Sequence, residues 1–494
     1  MVYDCTVLFT PCYYRAMYWL RRRVHPTWHM TSACLGFVGG VALAPVWGQN
    51  SWGMWTGGAL LIGLAFWRQR RILLIFACIG GALLGLGRGT VAMGDIAKYN
   101  AYYGHQVTLT GAVADDIDIK SQGAHMTLKY IHIDGHAFAG TVFATVKGGN
   151  DAKRSDSITV KGILSEGFGG FGASIMGDAV RLQRPIPGDV ALSIRDGFAG
   201  DIRQAIAEPE ASLGIGYLLG QKSALPSDLA DALKVAGLTH IVVASGYNLT
   251  ILVRIGRRLF AKVSKYLAML TGASLIVGFI AMTGLSPSMT RAGLVAGLSL
   301  WAWYYGRKFH PVTLLAVAAS VTVLVNPSYV WGDLGWLLSF AAFAGVMIIA
   351  PIATAYYFGD ENMPFIGQLL IETIAAQVVT LPIMILAFQQ LSVIAPAANL
   401  LVLPIIPIIM FLVAAAGLFA MVIPSLASMA GWPAEQLLHV QISIINWCAD
   451  IPWALEKPHW QWWGAAIYVA AVSVVVVHMK LRANYKLYTA SVVE

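Results

Sequence analysis

Charge is what this sequence has least of. Only 12% of its 494 residues are Asp, Glu, Lys or Arg, against roughly 25% in ordinary soluble domains. With 57% of the residues hydrophobic, there is too little polar surface to cover a soluble globule, so most of the chain faces lipid or a large apolar interior. Cysteine is equally sparse. Cys5, Cys12, Cys34, Cys78 and Cys448 are scattered without a C-x-x-C pair, which excludes a disulfide framework and a zinc ribbon and leaves them as small buried hydrophobes. There is no P-loop G-x-x-x-x-G-K-[ST], no H-x-H-x-D-H metal motif and no internal repeat of the kind secondary transporters carry.

Glycine and long apolar runs are what the chain has instead. Its 50 glycines suit closely packed transmembrane helices, and the net charge of +8 is of the kind that cytoplasmic loops alone supply. Met1 to Met30 carries Arg15 and Arg21-Arg22-Arg23 without a small-residue cleavage site, and is expected to be a retained cytoplasmic tail. Apolar segments follow at Thr31–Trp47, Trp52–Trp67 and Ile72–Met93, with Arg68, Arg70 and Arg71 between the last two. The positive-inside rule then places the N-terminus in the cytoplasm and whatever follows Met93 outside.

From Lys98 to about Arg184 the pattern changes to short runs alternating with a period of two. Strands are expected at His105–Val113, His125–Ile133, Phe138–Lys147, Ser157–Leu164 and Ala173–Leu182, which suggests an OB-type barrel, a small sandwich being the other option. Nine basic and nine acidic residues between Lys98 and Val190 give it no strongly basic face. His132-Ile-Asp134-Gly-His136 resembles a metal site but reads better as an Asp-Gly hairpin turn. Ile194, Phe198, Ile202 and Ile206 then recur at helical spacing, as in an amphipathic helix on the membrane surface.

Further spans are expected near His240–Val253, Leu267–Thr283, Arg291–Tyr305, Val312–Val325, Leu334–Tyr356, Ile366–Phe388, Ala395–Val422 and Trp463–Val477. The fold expected is a polytopic α-helical membrane protein of about 10–12 spans with one extracytoplasmic OB-like barrel. Its parts are residues 1–97 (tail and three spans), 98–185 (barrel), 186–236 (surface helices), 237–425 (transmembrane channel region) and 426–494 (an interfacial segment and last span). Ala395–Val422 is long and holds Pro396, Pro404 and Pro407; two half-helices or a re-entrant loop there restore the parity that Lys480, Arg482 and Lys486 require, and such breaks sit beside cavities.

Polar residues at membrane depth carry the chemistry. On a continuous helix His240, Ala244 and Asn248 form one stripe with Ser245 about 60° beyond, either lining a path or bonding packed helices. His240 and Ser245 do not make a hydrolase pair, because A-S-G-Y is not a G-x-S-x-G elbow and no carboxylate is near. Arg291, beside Ser288 and Thr290, must face water or a partner and suits phosphate; the plainer role is snorkelling at the interface. Asp333 is placed to cap a helix. Glu372, Gln377 and Asn399 are further polar residues in apolar surroundings.

These residues lie in blocks that resemble the ComEC family of DNA-uptake channel proteins: Leu213–Gly220 (LGIGYLLG), Ala236–Gly246 (AGLTHIVVASG), Gly284–Gly293 (GLSPSMTRAG), Asn326–Pro327 with Leu338–Phe340, and Ala395–Pro404. Order and spacing match across about Ile194 to Val422. Two departures concern side-chain roles: Asn248 stands where the family commonly has histidine, and Leu337 where it commonly has glutamine. The resemblance implies a channel for single-stranded transforming DNA in the bacterial cytoplasmic membrane, without cofactor, metal or catalysis of its own. The implied partners are the lipid bilayer, a DNA receptor, a cytoplasmic translocation motor and a separate nuclease. With no H-x-H-x-D-H in this sequence, the metallo-β-lactamase-like domain of larger members is expected to be absent, and no nuclease activity is expected. His240, Ser245, Asn248, Ser288, Arg291, Asp333, Ser339 and Asn399 are the expected DNA path. The rivals are a small-anion transporter, which predicts an internal repeat, and a membrane enzyme, which predicts clustered acid, base or metal ligands.

Overall fold

The computed structural model describes residues 23–47, 52–120, 123–148, 151–186, 188–221, 225–242, 246–284, 286–306, 310–359 and 363–483. The chain divides into two compact units, residues 1–101 with 312–333, and residues 102–311 with 334–494.

The first unit is built on glycine. Helices α1 (Pro26–Trp47), α2 (Trp52–Arg68) and α3 (Leu73–Ala97) have apolar residues on all sides, and α1 and α3 cross at Gly36 and Gly40 facing Gly81 and Gly85. A Cβ at any of the four meets the backbone carbonyl of Cys78, Ala82, Ala33 or Phe37 in the opposite helix. These paired small-x-x-x-small stripes are what close helix packing in lipid requires, since dispersion at short range replaces the hydrophobic drive. The later helices α11 (Pro311–Val325) and α12 (Ser328–Gly332) join this unit through Thr31 Oγ1 to Thr313 Oγ1 (2.7 Å), Ser320 Oγ to Cys34 O (2.8 Å) and Trp331 Nε1 to Val41 O (2.8 Å).

The second unit opens with a closed barrel. Strands β1 (Gln106–Val113), β3 (Gly123–Ile133), β5 (Val142–Lys147), β6 (Ser157–Glu166) and β7 (Ala173–Gln183) close as β1–β3–β5–β7–β6–β1, with short β2 (Asp118–Lys120) and β4 (His136–Phe138) flanking β3. Every pairing on the ring is antiparallel except β5 with β7, and that single parallel contact is the mark of the OB Greek key. Alternate residues such as Leu109, Leu128, Ile133, Val146, Ile158 and Leu164 fill the interior. The sandwich alternative is thereby set aside. Asp134 and Gly135 form the two-residue turn joining β3 to β4, with φ of 49° and 86°, so the His132–His136 string is a hairpin.

The helices α4 (Val190–Ala205), α5 (Glu210–Leu219), α6 (Ser227–Val235), α7 (Thr239–Val242), α8 (Gly246–Ala261), α9 (Lys265–Thr283) and α10 (Pro287–Tyr304) follow. After the first unit's α11 and α12 come α13 (Leu334–Ala344), a π-helical turn (Gly345–Ile349), α14 (Ala350–Phe358), α15 (Phe365–Phe388), α16 (Ala395–Val402), α17 (Ile406–Val422), α18 (Ala427–Ala449) and α19 (Trp462–Arg482). The strands β8 (Leu391–Ser392) and β9 (Leu455–Glu456) pair beside them. The helix expected on the membrane surface, α4, packs most of its apolar face on protein and leaves Ile194 exposed. Phe198 and Ile202 of α4 close over Gly417 of α17, and the backbone at Ala205 meets Gly431 of α18. All of α5 is buried. Apolar spacing marks which face of a helix is covered, not whether lipid or protein covers it.

Among the described residues six helical segments are long and apolar enough to cross a membrane: Pro26–Trp47, Leu73–Tyr102, Lys265–Thr283, Leu334–Phe358, Phe365–Phe388 and Trp462–Arg482. The pair α16 and α17, bent by 48°, makes a seventh if taken as one span, which is the broken segment the prolines announced. The larger expected number also counted shorter helices such as α2, of 17 residues, and α11, of 15, as spans.

Candidate functional site

An arginine without a carboxylate partner among the described residues is the centre of the second unit's polar interior. Helix α10 begins with Ser286 as N-cap, its Oγ accepting from Met289 N (3.3 Å), and Pro287 in the first turn, where a missing N–H costs nothing. That start sets Ser288 and Arg291 on one face, three residues apart. Helix α13 presents Ser339 and Phe343 four residues apart in the same way. Arg291 Nε donates to Ser339 Oγ (2.6 Å), Ser339 Oγ donates to Ser288 Oγ (3.3 Å), and the guanidinium lies 5.0 Å from the Phe343 ring.

Arg291 is only 8% exposed. A third element meets it: a Cβ at Gly246, the first residue of α8, stands 3.1 Å from Arg291 Nη2. The positive end of the α8 dipole therefore lies beside a buried cation. Bringing two positive ends together is unfavourable unless an anion shares them. Hydroxyl donors, a fork of guanidinium N–H groups and a helix N-terminus are together the chemistry of a phosphate site.

The other nominated residues do not join this cluster. His240 and Asn248 belong to separate helices, α7 and α8, and form no common stripe: His240 is exposed with Nδ1 against Gly237 O (3.1 Å), whereas Asn248 is fully buried. Asn248 Nδ2 donates to Tyr217 O (2.9 Å) and Ile241 O (3.3 Å), the helix-bonding role. Ser245 lies outside the described residues. Asn399 is buried on α16 with no hydrogen-bond partner for Oδ1 among the described residues. Asp333 sits directly before α13 with extended backbone (φ −73°, ψ 100°), the conformation of an N-cap. Glu372 is bonded by Gln368 (2.9 Å) on an exposed face of α15, and Gln377 donates to Ser392 O (3.1 Å).

Two members of the cluster, Gly246 and Phe343, were not legible beforehand. Phe343 could have been found, being one turn beyond Ser339. Gly246 could not, because only the fold brings it to Arg291. Among the described residues no group of three His, Cys, Asp or Glu is placed to hold a metal.

A second polar centre fastens the barrel to the helices. Arg154, in the loop before β6, donates from Nε to Asp189 Oδ2 (2.8 Å) and from Nη1 and Nη2 to Met282 O (3.0 Å) and Ala281 O (2.8 Å) at the end of α9. Asp189 also caps α4 by accepting from Leu192 N (2.9 Å) and takes a bond from Ser155 Oγ (3.0 Å). Although burial pushes the Asp189 carboxyl up, the Arg154 bond, the Leu192 amide and the Arg154 charge outweigh it and hold the group below the usual carboxylate range. Asp115 nearby is pushed up by burial. Arg195 grips Asp116 through two bonds of 2.6 and 3.0 Å. Gly284, at φ +92° and beside Arg154, turns the chain from α9 towards α10, a conformation that favours glycine.

The family model described as competence protein matches residues 217–482, which contain Arg291, Ser288, Ser339, Phe343 and Gly246. Competence protein ComA of Neisseria gonorrhoeae is 29% identical over 255 residues, 49% of this chain and 35% of that protein. ComE operon protein 3 of Bacillus subtilis (strain 168) is 25% identical over 206 residues, 40% of this chain and 25% of that protein. The chain thus covers about a quarter to a third of the length of these relatives. No solved structure matches it.

Proposed function

We propose, since this chain belongs to the competence protein family, that it is the membrane channel through which single-stranded transforming DNA enters the cell. A strand with a charge at every nucleotide needs a wet, cation-lined path through lipid, with contacts weak enough to be released in turn. The observation that carries this reading is Arg291, buried, bonded to the Ser339 hydroxyl with no carboxylate partner among the described residues, and facing the start of α8. A carboxylate partner would have neutralised the arginine permanently. Hydroxyl partners leave it charged, so successive phosphates can replace one another at the guanidinium while Ser288 and Ser339 hold the side chain in place.

In this reading the protein lies in the bacterial cytoplasmic membrane with its N-terminus inside and the barrel outside, meeting DNA handed over by a receptor. A motor in the cytoplasm supplies the energy, a separate nuclease removes the other strand, and the channel itself catalyses nothing.

Measuring labelled-DNA uptake together with membrane abundance tests the proposal. Arg291→Lys should keep part of the uptake. Arg291→Gln and Arg291→Glu should lose about tenfold or more, corresponding to an interaction of at least 1.4 kcal/mol, with the protein inserted at normal levels. Normal uptake by Arg291→Glu at full abundance eliminates the pore-lining role. A small-anion transporter would instead show uptake of inorganic anions by reconstituted vesicles that single-stranded DNA does not inhibit.

A further inference from the structure

The end of α8 and the start of α9 carry Arg254, Arg257, Arg258, Lys262 and Lys265. Among the described residues none of these five forms an ion pair with a carboxylate. Arg257 differs from the other four in direction. It is buried, and its Nη1 has neither solvent contact nor a hydrogen-bond partner. Trp303 of α10 stands 5.1 Å from its guanidinium, and the same indole lies 5.7 Å from Lys265 Nζ, which is also 5.6 Å from the Tyr304 ring. Arg254 and Arg258 are close enough to repel Arg257.

Two cations thus meet one indole, and one of them keeps a buried donor unused. Cation–π contact offsets part of the desolvation but satisfies no N–H. An anion between Arg257 and Lys265 would do so and would screen the repulsion. The rim identifies the kind of anion. Leu259, Val263, Tyr266 and Tyr305 are exposed beside the cluster, and outward apolar side chains flanking cations and ring edges are the pattern of an interface with lipid. A nucleic acid strand offers nothing to Leu259 and Val263, whereas acyl chains do.

We propose that this cluster binds the headgroup phosphate of an anionic phospholipid between Arg257 and Lys265 at the edge of Trp303, with the acyl chains along Leu259 and Val263. The site is separate from Arg291, and its test needs no DNA uptake, so either proposal can fail alone.

The full-length protein, purified in mild detergent after incubation with phosphatidylglycerol or phosphatidylcholine, is examined by native mass spectrometry for retained lipid. Wild type should retain phosphatidylglycerol in preference to phosphatidylcholine. Each cation near a lipid surface is worth about fivefold in binding, so Arg257→Gln and Lys265→Gln should each lower retention by about that factor, while Lys161→Gln, on the exposed face of the barrel strand β6, should leave it unchanged. If Arg257→Gln fails to insert, Lys265→Gln on the exposed side of the indole decides. Equal retention of the two lipids by wild type, or undiminished phosphatidylglycerol on Lys265→Gln, overturns the proposal. Displacement of the lipid by inorganic phosphate shows a free-anion site, and displacement by a short oligothymidylate shows a nucleic-acid site; either result overturns it as well.

Discussion

At the scale of single residues, Arg291 and Asn248 are both buried polar groups in an apolar chain, yet their partners give them opposite roles. Asn248 spends its amide N–H groups on two backbone carbonyls, Tyr217 O and Ile241 O, and so ties α8 to α5 and α7. Removing it strands both acceptors, and Asn248→Ala should destabilise the protein by about 1–3 kcal/mol. Thermal unfolding in detergent measures this, and uptake per inserted molecule should stay near wild type. A normal melting temperature with abolished uptake would move Asn248 into the path. Gly246 belongs with Arg291. A valine there adds carbon where Arg291 Nη2 and the Ala292 Cβ each stand at 3.1 Å; Gly246→Val should therefore push the guanidinium aside and lower uptake with abundance retained.

At the scale of elements, one arginine in the joint between barrel and helices serves two helices at once. Arg154 satisfies the last carbonyls of α9 and the capping carboxylate of α4 together, so Arg154→Ala should loosen both ends. Protease nicking in the loop before β6 and at Gly284 should rise relative to wild type. The same joint has a pH signature. Because the folded-state carboxyl of Asp189 is held below its unfolded value, its contribution is present above the unfolded pKa of about 3.9 and is lost as pH falls through the lower folded value. Asp189→Asn keeps a cap residue but not the charge. Wild type should be the more stable by about 1.5–3 kcal/mol at neutral pH, with the gap narrowing in acid below about pH 4. A gap independent of pH would show that the charge of Asp189 is not what fastens the joint.

At the scale of the whole molecule, the proposed orientation, with the barrel outside, rests on the arginines flanking the opening spans, Arg21–Arg23, Arg68, Arg70 and Arg71. Lys161 is exposed on the outer face of β6. In a background without other reactive cysteines, Lys161→Cys should react with an impermeant maleimide in intact spheroplasts. Labelling only after lysis reverses the orientation.

The sequence by itself determined the class of protein, four of the five ring strands to within two residues, the broken Ala395–Val422 segment and the costly placement of a charge at Arg291. These are local properties: composition, a period of two against one of 3.6, proline positions, and the expense of a charge at membrane depth. Which surface covers each helix was decided only by tertiary structure, because lipid and protein are equally apolar and the same spacing serves both. That is why α4 and α5 lie in the bundle, and why the stripe from His240 to Asn248 divides into an exposed residue and a buried one. The partners of Arg291 were likewise undetermined. Gly246, Ser339 and Phe343 are distant from it in sequence, and no periodicity encodes a meeting of three helices at one guanidinium.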